Sequence, residues 1–204
     1  MRKILISLGS NKGGEFPTFT KCDQYDPAFE IFAFEPEPRC YEFIEEVQKT
    51  VPNITHIKKG ASTQDGELTW RVGRLTVSGT LDLTKKPDMM SGETKVIPVV
   101  DVSKWIMDNF EKDDHILMTI DIEGTEYDVI DKMYEDGSIE WIDKLYVEWH
   151  GNKSIGFDMK REYKLQERLE NTFGNRVWFG WIEGDMARAR STMPQTKGNF
   201  YNMI

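Results

Sequence analysis

The feature that most constrains this chain is a series of short, nearly unbroken apolar runs, several of them stopped by a glycine or an acid. Residues 4–8 run into Gly9, residues 31–34 run into Glu35-Pro36, and residues 54–57 form a third run. Residues 115–122, 145–149 and 177–182 continue the series. Such runs are too short for buried helices and lack the polar alternation of a half-exposed strand. They read as strands covered on both faces. Helical patterns fall between them. Cys40, Phe43, Ile44 and Val47 line one helical face, with Pro38 near its start. Val102, Trp105, Ile106 and Phe110 follow Asp101. Tyr127, Ile130, Met133 and Tyr134 form another stripe, and Met159, Tyr163, Leu169 and Phe173 follow Asp158. The alternation predicts an α/β fold: a mostly parallel sheet with helices on both faces. A loop is expected over 184–197 and a last strand over 199–204.

Residues 60–100 break the pattern. Turn pairs recur at Asp65-Gly66, Ser78-Gly79 and Ser91-Gly92, and Leu75, Val77, Leu81 and Leu83 suggest short β segments. About 40 residues are marginal for independent folding. The stretch therefore reads as a β-rich insertion after the third strand, inside a single domain spanning 1–204.

Composition narrows the function classes. With 35 acidic against 26 basic residues the chain carries a net charge of −9. That argues against nonspecific binding to nucleic acid or to an anionic membrane, both of which need a basic patch. No apolar run approaches the roughly 20 residues of a membrane span. The start, with five apolar-run residues after Arg2-Lys3, lacks a signal-peptide core and reads as a strand. Cys22 and Cys40 are too few and too widely spaced for a disulfide framework or a zinc site. The expected location is the cytoplasm.

In a parallel sheet of this kind, ligands bind at the carboxyl ends of the strands. After the first strand comes Gly9-Ser10-Asn11-Lys12-Gly13-Gly14. Its glycines let a ligand approach the backbone. It matches neither the P-loop nor the dinucleotide G-x-G-x-x-G pattern. Glu35 ends the second strand, where a carboxylate can accept hydrogen bonds from both hydroxyls of a ribose. Glycine loop and acid together favour an adenosine-type cofactor. Without the dinucleotide fingerprint, S-adenosylmethionine is favoured over NAD.

At this point the sequence resembles the FkbM family of S-adenosylmethionine-dependent methyltransferases. The resemblance rests on Leu8-Gly9-Ser10-Asn11-Lys12-Gly13, on Ala33-Phe34-Glu35-Pro36-Glu37-Pro38, and on Ile120-Asp121-Ile122-Glu123-Gly124-Thr125-Glu126. Val147-Glu148-Trp149-His150 resembles a further strand end of the family. The resemblance implies a Rossmann-like class I methyltransferase sheet and methyl transfer, usually to oxygen. It implies that Gly9, Asn11 and Gly13 contour the methionine end of the cofactor and that Glu35 holds the ribose. Ala61 and Ser62 would lie near the adenine, and Asp121 and Glu123 beside the transferring methyl. Two positions depart from the family pattern. Ser7 stands where the family has an acid that anchors the cofactor's amino group, and Thr119 where it usually has lysine. Ser7 retains the ability to accept a hydrogen bond.

Asp121, Glu123 and Glu126 crowd one strand end. On an extended strand Asp121 and Glu123 share a face. Carboxylates this close repel unless a cation, a donor or a proton intervenes. Methyl transfer to a hydroxyl needs alignment and a proton acceptor, which Asp121, Glu123 or His150 would supply. An Mg²⁺ ion held by Asp121, Glu123 and Glu148 is the less favoured alternative. Glu126 also reads as a helix N-terminal acid, and Glu148 as a mid-strand carboxylate paired with a backbone donor or a lysine. His56 and His115 read as structural. Trp149 and Trp181 are core residues or pocket walls. Arg71, Arg74, Arg188 and Arg190 are solvated or meet an anionic acceptor.

The leading expectation is an S-adenosylmethionine-dependent O-methyltransferase acting on a hydroxyl of a small molecule, sugar or glycan. The alternative is a degenerate methyltransferase fold kept as a binding or assembly module, which Ser7 and Thr119 motivate. A third, weaker reading is a metal-dependent enzyme without the cofactor.

Overall fold

A computed structural model describes residues 1–21 and 25–180 of the chain. Strand β1 (Lys3–Leu8) leads through a glycine loop to a short helix, α1 (Glu15–Phe19), and then to β2 (Phe29–Phe34). Helix α2 (Tyr41–Gln48) and β3 (Ile54–Ile57) follow. The central excursion holds β4 (Gly60–Ser62), β5 (Gly66–Gly73) and β6 (Met90–Asp101). Then come α3 (Val102–Asn109), β7 (His115–Ile120), α4 (Glu126–Asp136), β8 (Lys144–Val147), α5 (Met159–Phe173) and β9 (Val177–Phe179).

The principal sheet has the order β3-β2-β1-β7-β8-β9, and every pairing in it is parallel. This is the expected Rossmann-like α/β arrangement. The chain winds outward from β1 to β3, then crosses back to place β7 on the other side of β1. The crossover makes the β1–β7 boundary the switch point, where a crevice opens at the carboxyl ends.

Alternation along β1 explains why both faces are covered. Ile4, Ile6 and Leu8 join one core with Val102 and Ile106 of α3, Ile130 and Met133 of α4, and Leu165 and Leu169 of α5. Leu5 points the other way, onto Phe16 and Phe19 of α1, Ile31 and Val51. Ile4, Ile6 and Leu8 are all 0% exposed, and burying each such side chain contributes roughly 1.5–3 kcal/mol. Side chains start the helices where expected. Asp101 accepts from the Lys104 amide at α3, and Asp158 from the Lys160 amide at α5. Gly137, at φ +83°, ends α4.

The strands stop earlier than the apolar runs do. β7 ends at Ile120 and β8 at Val147, so Asp121, Glu123 and Glu148 all lie beyond strand ends. Glu123 has φ +60° and Gly124 φ +127°. The chain turns there, so Asp121 and Glu123 do not share the face of an extended strand, and Glu148 is not a mid-strand residue. Phe43 also departs from expectation: it is 47% exposed, with the Lys12 ammonium 4.3 Å from its ring centre. Only Cys40 and Ile44 of that stripe are buried.

The excursion forms a second, three-stranded sheet of order β4-β6-β5. Its strands are not at Leu75, Val77, Leu81 or Leu83. Residues Thr76–Ser78 make a single 3-10 turn, and Thr80 makes only an isolated bridge to Arg71. Leu75 and Leu83 are exposed. The strands lie where Trp70 and Val72 face Ile97 and Val99 across a small apolar core. Cys22, Trp181, Arg188, Arg190, the loop over 184–197 and the strand over 199–204 fall outside the described residues.

Candidate active site

The glycine loop is held at the switch point by the strands on either side. The amides of Gly9 and Ser10 both donate to the Phe34 carbonyl at 3.0 Å, and the Asp121 amide donates to Leu8 at 2.9 Å. Gly9 has φ +85°, and a Cβ on it would meet the Asp121 carbonyl oxygen at 1.8 Å. Only glycine fits there. Gly13 is also left-handed, but it packs behind the loop, where a Cβ would lie 3.2 Å from Phe16. Ser7 is likewise behind the loop. It is 1% exposed, donates to the Glu15 carboxylate and receives the Ser10 hydroxyl at 3.0 Å.

A cleft partly open to solvent lies over these strand ends. Gly9 and Asn11 line one wall, and Glu35, Pro36, Gly60 and Ala61 another. Ser62 is buried but does not reach it. Trp70, Val77 and Leu81 close it from the insertion, and Asp121, Ile122, Glu123 and Thr125 form its far end. Glu35 is 5% exposed. One of its oxygens accepts from the Asn11 amide and the other from the Glu37 amide, both at 2.8 Å. Burial pushes its carboxyl up to about 7, against the two backbone donors. Each oxygen keeps a lone pair for a further donor in the cleft.

The far end is built around His150, which is 0% exposed. Its Nδ1 lies 2.7 Å from Glu126 and its Nε2 3.1 Å from Glu148. The same Nε2 is 3.4 Å from Glu123 and 3.6 Å from Asp121. Burial opposes charge on this imidazole, but the carboxylates of Glu126, Glu148 and Glu123 outweigh it and raise it to about 10. The surrounding carboxylates thus favour the cationic form of His150. Glu126, 0% exposed, is the anchor of the turn. It accepts the amides of Ile122 at 3.2 Å and Gly124 at 3.0 Å.

Two lysines complete the cluster, and sequence reasoning missed both. Lys85, in the insertion, has a 0% exposed side chain paired with Glu123 and donates to the Ser78 carbonyl at 3.0 Å. Lys153 reaches the two Glu123 oxygens at 3.2 and 3.3 Å. Burial would raise the Glu123 carboxyl, but His150, Lys85 and Lys153 hold it below its usual value. Asp121 goes the other way. Burial and then Glu148 raise it well above the ordinary range, against His150. The signal in the sequence was the charge itself: carboxylates this crowded demand cations from elsewhere in the chain.

Asp121, Glu123 and His150 offer atoms within 4.8 Å of one another. Glu123 and His150 already have other partners: Lys85 and Lys153 pair with Glu123, and the two His150 nitrogens lie against Glu126 and Glu148. Trp149 lies off the cleft, stacked on Tyr127 at 5.0 Å. Arg71 donates to the carbonyls of Asp82, Leu83 and Lys85, and Arg74 to Met90. Neither lines the cleft. His56 meets the Glu35 carbonyl at 3.1 Å, and His115 meets Asp143 at 2.9 Å, as structural histidines.

Residues 7–173 match a family model described as the methyltransferase FkbM domain. No curated protein and no solved structure matches the chain at a significant level.

Proposed function

The chain belongs to the FkbM methyltransferase family, and on that premise we propose that it is an S-adenosylmethionine-dependent O-methyltransferase acting on a hydroxyl of a small molecule, sugar or glycan. The observation that carries this reading is Glu35: a buried carboxylate in the lining of the cleft, whose two oxygens are each half-used by a backbone amide. Ribose hydroxyls are donors of the right kind for what remains. Gly9 supports it further, because without a side chain the loop packs directly on the Asp121 backbone and still lines the cleft. When bound, the cofactor supplies an electrophilic methyl group on a cationic sulfur. The chain's part is to bind, align and take a proton. Gly9 and Asn11 hold the methionine end, Glu35 the ribose, and Ala61 the adenine side. Asp121 or Glu123 faces the acceptor. The lining holds Glu35, Asp121 and Glu123 and, among the described residues, no lysine, arginine or histidine, which suits a cationic ligand.

A second reading is a degenerate methyltransferase fold kept as a binding or assembly module without catalysis. Ser7 favours it, since its hydroxyl is engaged by Glu15 and Ser10 behind the loop. Titration calorimetry with S-adenosylhomocysteine and a methyl-transfer assay over a panel of sugars separate the readings. Binding with turnover supports the enzyme, whereas no binding at millimolar ligand removes the enzyme reading and leaves the module. No helix among the described residues is long and apolar enough to cross a membrane. We place the activity in the cytoplasm as part of this proposal.

A further inference from the structure

His150 and Asp121 divide the work at the far end of the cleft. Of the five clustered groups, only Asp121 and Glu123 line the cleft; His150, Glu126 and Glu148 stand behind it. His150 is wholly buried, and both its nitrogens are committed, Nδ1 to Glu126 and Nε2 to Glu148. It cannot touch an acceptor. The oxygens of Glu123 are engaged by Lys85 and Lys153. Asp121 Oδ1 is buried without a hydrogen-bond partner and lies toward His150 Nε2, 3.6 Å away, so the oxygen of this 25% exposed side chain left to meet an acceptor is Oδ2.

We propose that His150 is a positioning residue, a wholly buried imidazole that ties the ends of β7 and β8 together, and that Asp121 is the catalytic residue that takes the acceptor's proton. The assignment rests on the methyltransferase reading above. The groups facing this pair are Glu123, Glu126, Glu148, Lys85 and Lys153, with Asp82 near Gly124. The acceptor oxygen bonds to the methyl carbon as the carbon–sulfur bond breaks. The sulfur keeps that electron pair, and the hydroxyl proton passes to the Asp121 carboxylate and then to water. An imidazolium in this place lowers the cost of the charged Asp121 between its acidic neighbours. A wholly buried ring with a carboxylate against each nitrogen cannot reach the acceptor's proton.

The test uses the full chain without ligand. Nitrogen NMR of the imidazole should find His150 doubly protonated up to pH 8.5, in the wild type and in Asp121→Asn. Titration of His150 below pH 7.5 overturns the proposal. Carboxyl-carbon NMR should show the Asp121 titration moving upward in His150→Gln and returning toward the wild-type value in His150→Lys. An unmoved Asp121 titration overturns the positioning role. If His150→Gln fails to fold, the wild-type and Asp121→Asn spectra still decide. With S-adenosylmethionine and methyl glycosides as the hydroxyl probe, Asp121→Asn should lower kcat by about a hundredfold with cofactor KM within threefold. Turnover kept in Asp121→Asn, or absent in the wild type, overturns the catalytic assignment. Failure of S-adenosylhomocysteine to bind sinks the methyltransferase reading, whereas the NMR result on His150 stands independently of it.

Discussion

The α-carbon of Gly9 lies so close to the Asp121 backbone that a β-carbon on it would stand 1.8 Å from the Asp121 carbonyl oxygen. The ends of the two central strands are thus in direct contact, under the floor of the cleft. Gly9→Ala combines that clash with a left-handed backbone. Expected destabilisation is about 3 kcal/mol or more in urea unfolding. A change under about 1 kcal/mol would mean that the loop can shift freely and that the contact does not shape the site.

Cofactor affinity should depend on pH through Glu35. Its carboxyl titrates near 7 in the empty cleft. Ribose hydroxyls donate to the charged form, so binding below that value requires loss of a proton. Affinity for S-adenosylhomocysteine should tighten about tenfold from pH 6 to pH 8, and Glu35→Gln should flatten this dependence. Calorimetry at three pH values measures it. Weakening with rising pH would contradict the assignment of Glu35 to the ribose.

His150 predicts a loss of stability in alkali. Its folded value is about 10 against an ordinary 6.5. A raised value means that the folded state holds the proton more tightly. The stabilisation is complete below 6.5 and is lost as pH rises through about 10. The melting temperature should fall across that window in the wild type, and much less in His150→Gln. Equal slopes in the two proteins would count against a charged His150.

Lys85 and Lys153 contact the same carboxylate from different depths. The Lys85 side chain is 0% exposed and that of Lys153 is 28% exposed. Lys85→Met leaves Glu123 short of a buried partner and should cost roughly 3 kcal/mol. Lys153→Met should cost under about 1 kcal/mol. Denaturant unfolding compares them. The reverse order would show that Lys153, not Lys85, holds the turn.

Much of the fold was legible because apolar runs buried on both faces have few alternatives. The runs at 4–8, 31–34 and 54–57 each became a strand, and Asp101 and Asp158 cap the helices expected after them. Strand ends were less legible. The apolar run through Ile122 continues past the backbone's turn, because Ile122 packs against the core from the turn itself. In the insertion, leucine and valine positions misled: Leu75 and Leu83 are exposed, and the small core is made by Trp70, Val72, Ile97 and Val99. At the site, the motif residues were visible by type, and Asp121, Glu123, Glu148 and His150 do meet. Lys85 and Lys153 were not visible. A lysine's burial depends on which carboxylate the fold brings to it, and neither lysine lies in a recognisable motif.

The insertion is stitched to the turn after β7 and to the segment after β8. The Thr80 hydroxyl donates to the Glu123 carbonyl at 2.7 Å, Lys85 pairs with the Glu123 side chain, and Ser154 donates to Asp82. The Ile155 amide adds a bond to Thr84 at 2.8 Å. Seen as hardware, the segment is two parts with different freedoms. The stretch around Leu75 and Val77 is an interchangeable rim, open to any side chain that suits a new acceptor. The stretch from Thr80 to Lys85 is a fitting. A foreign insertion grafted here would have to carry its own hydroxyl and its own lysine to the same two atoms of residue 123, or the proton-accepting end of the cleft would come apart with the old one.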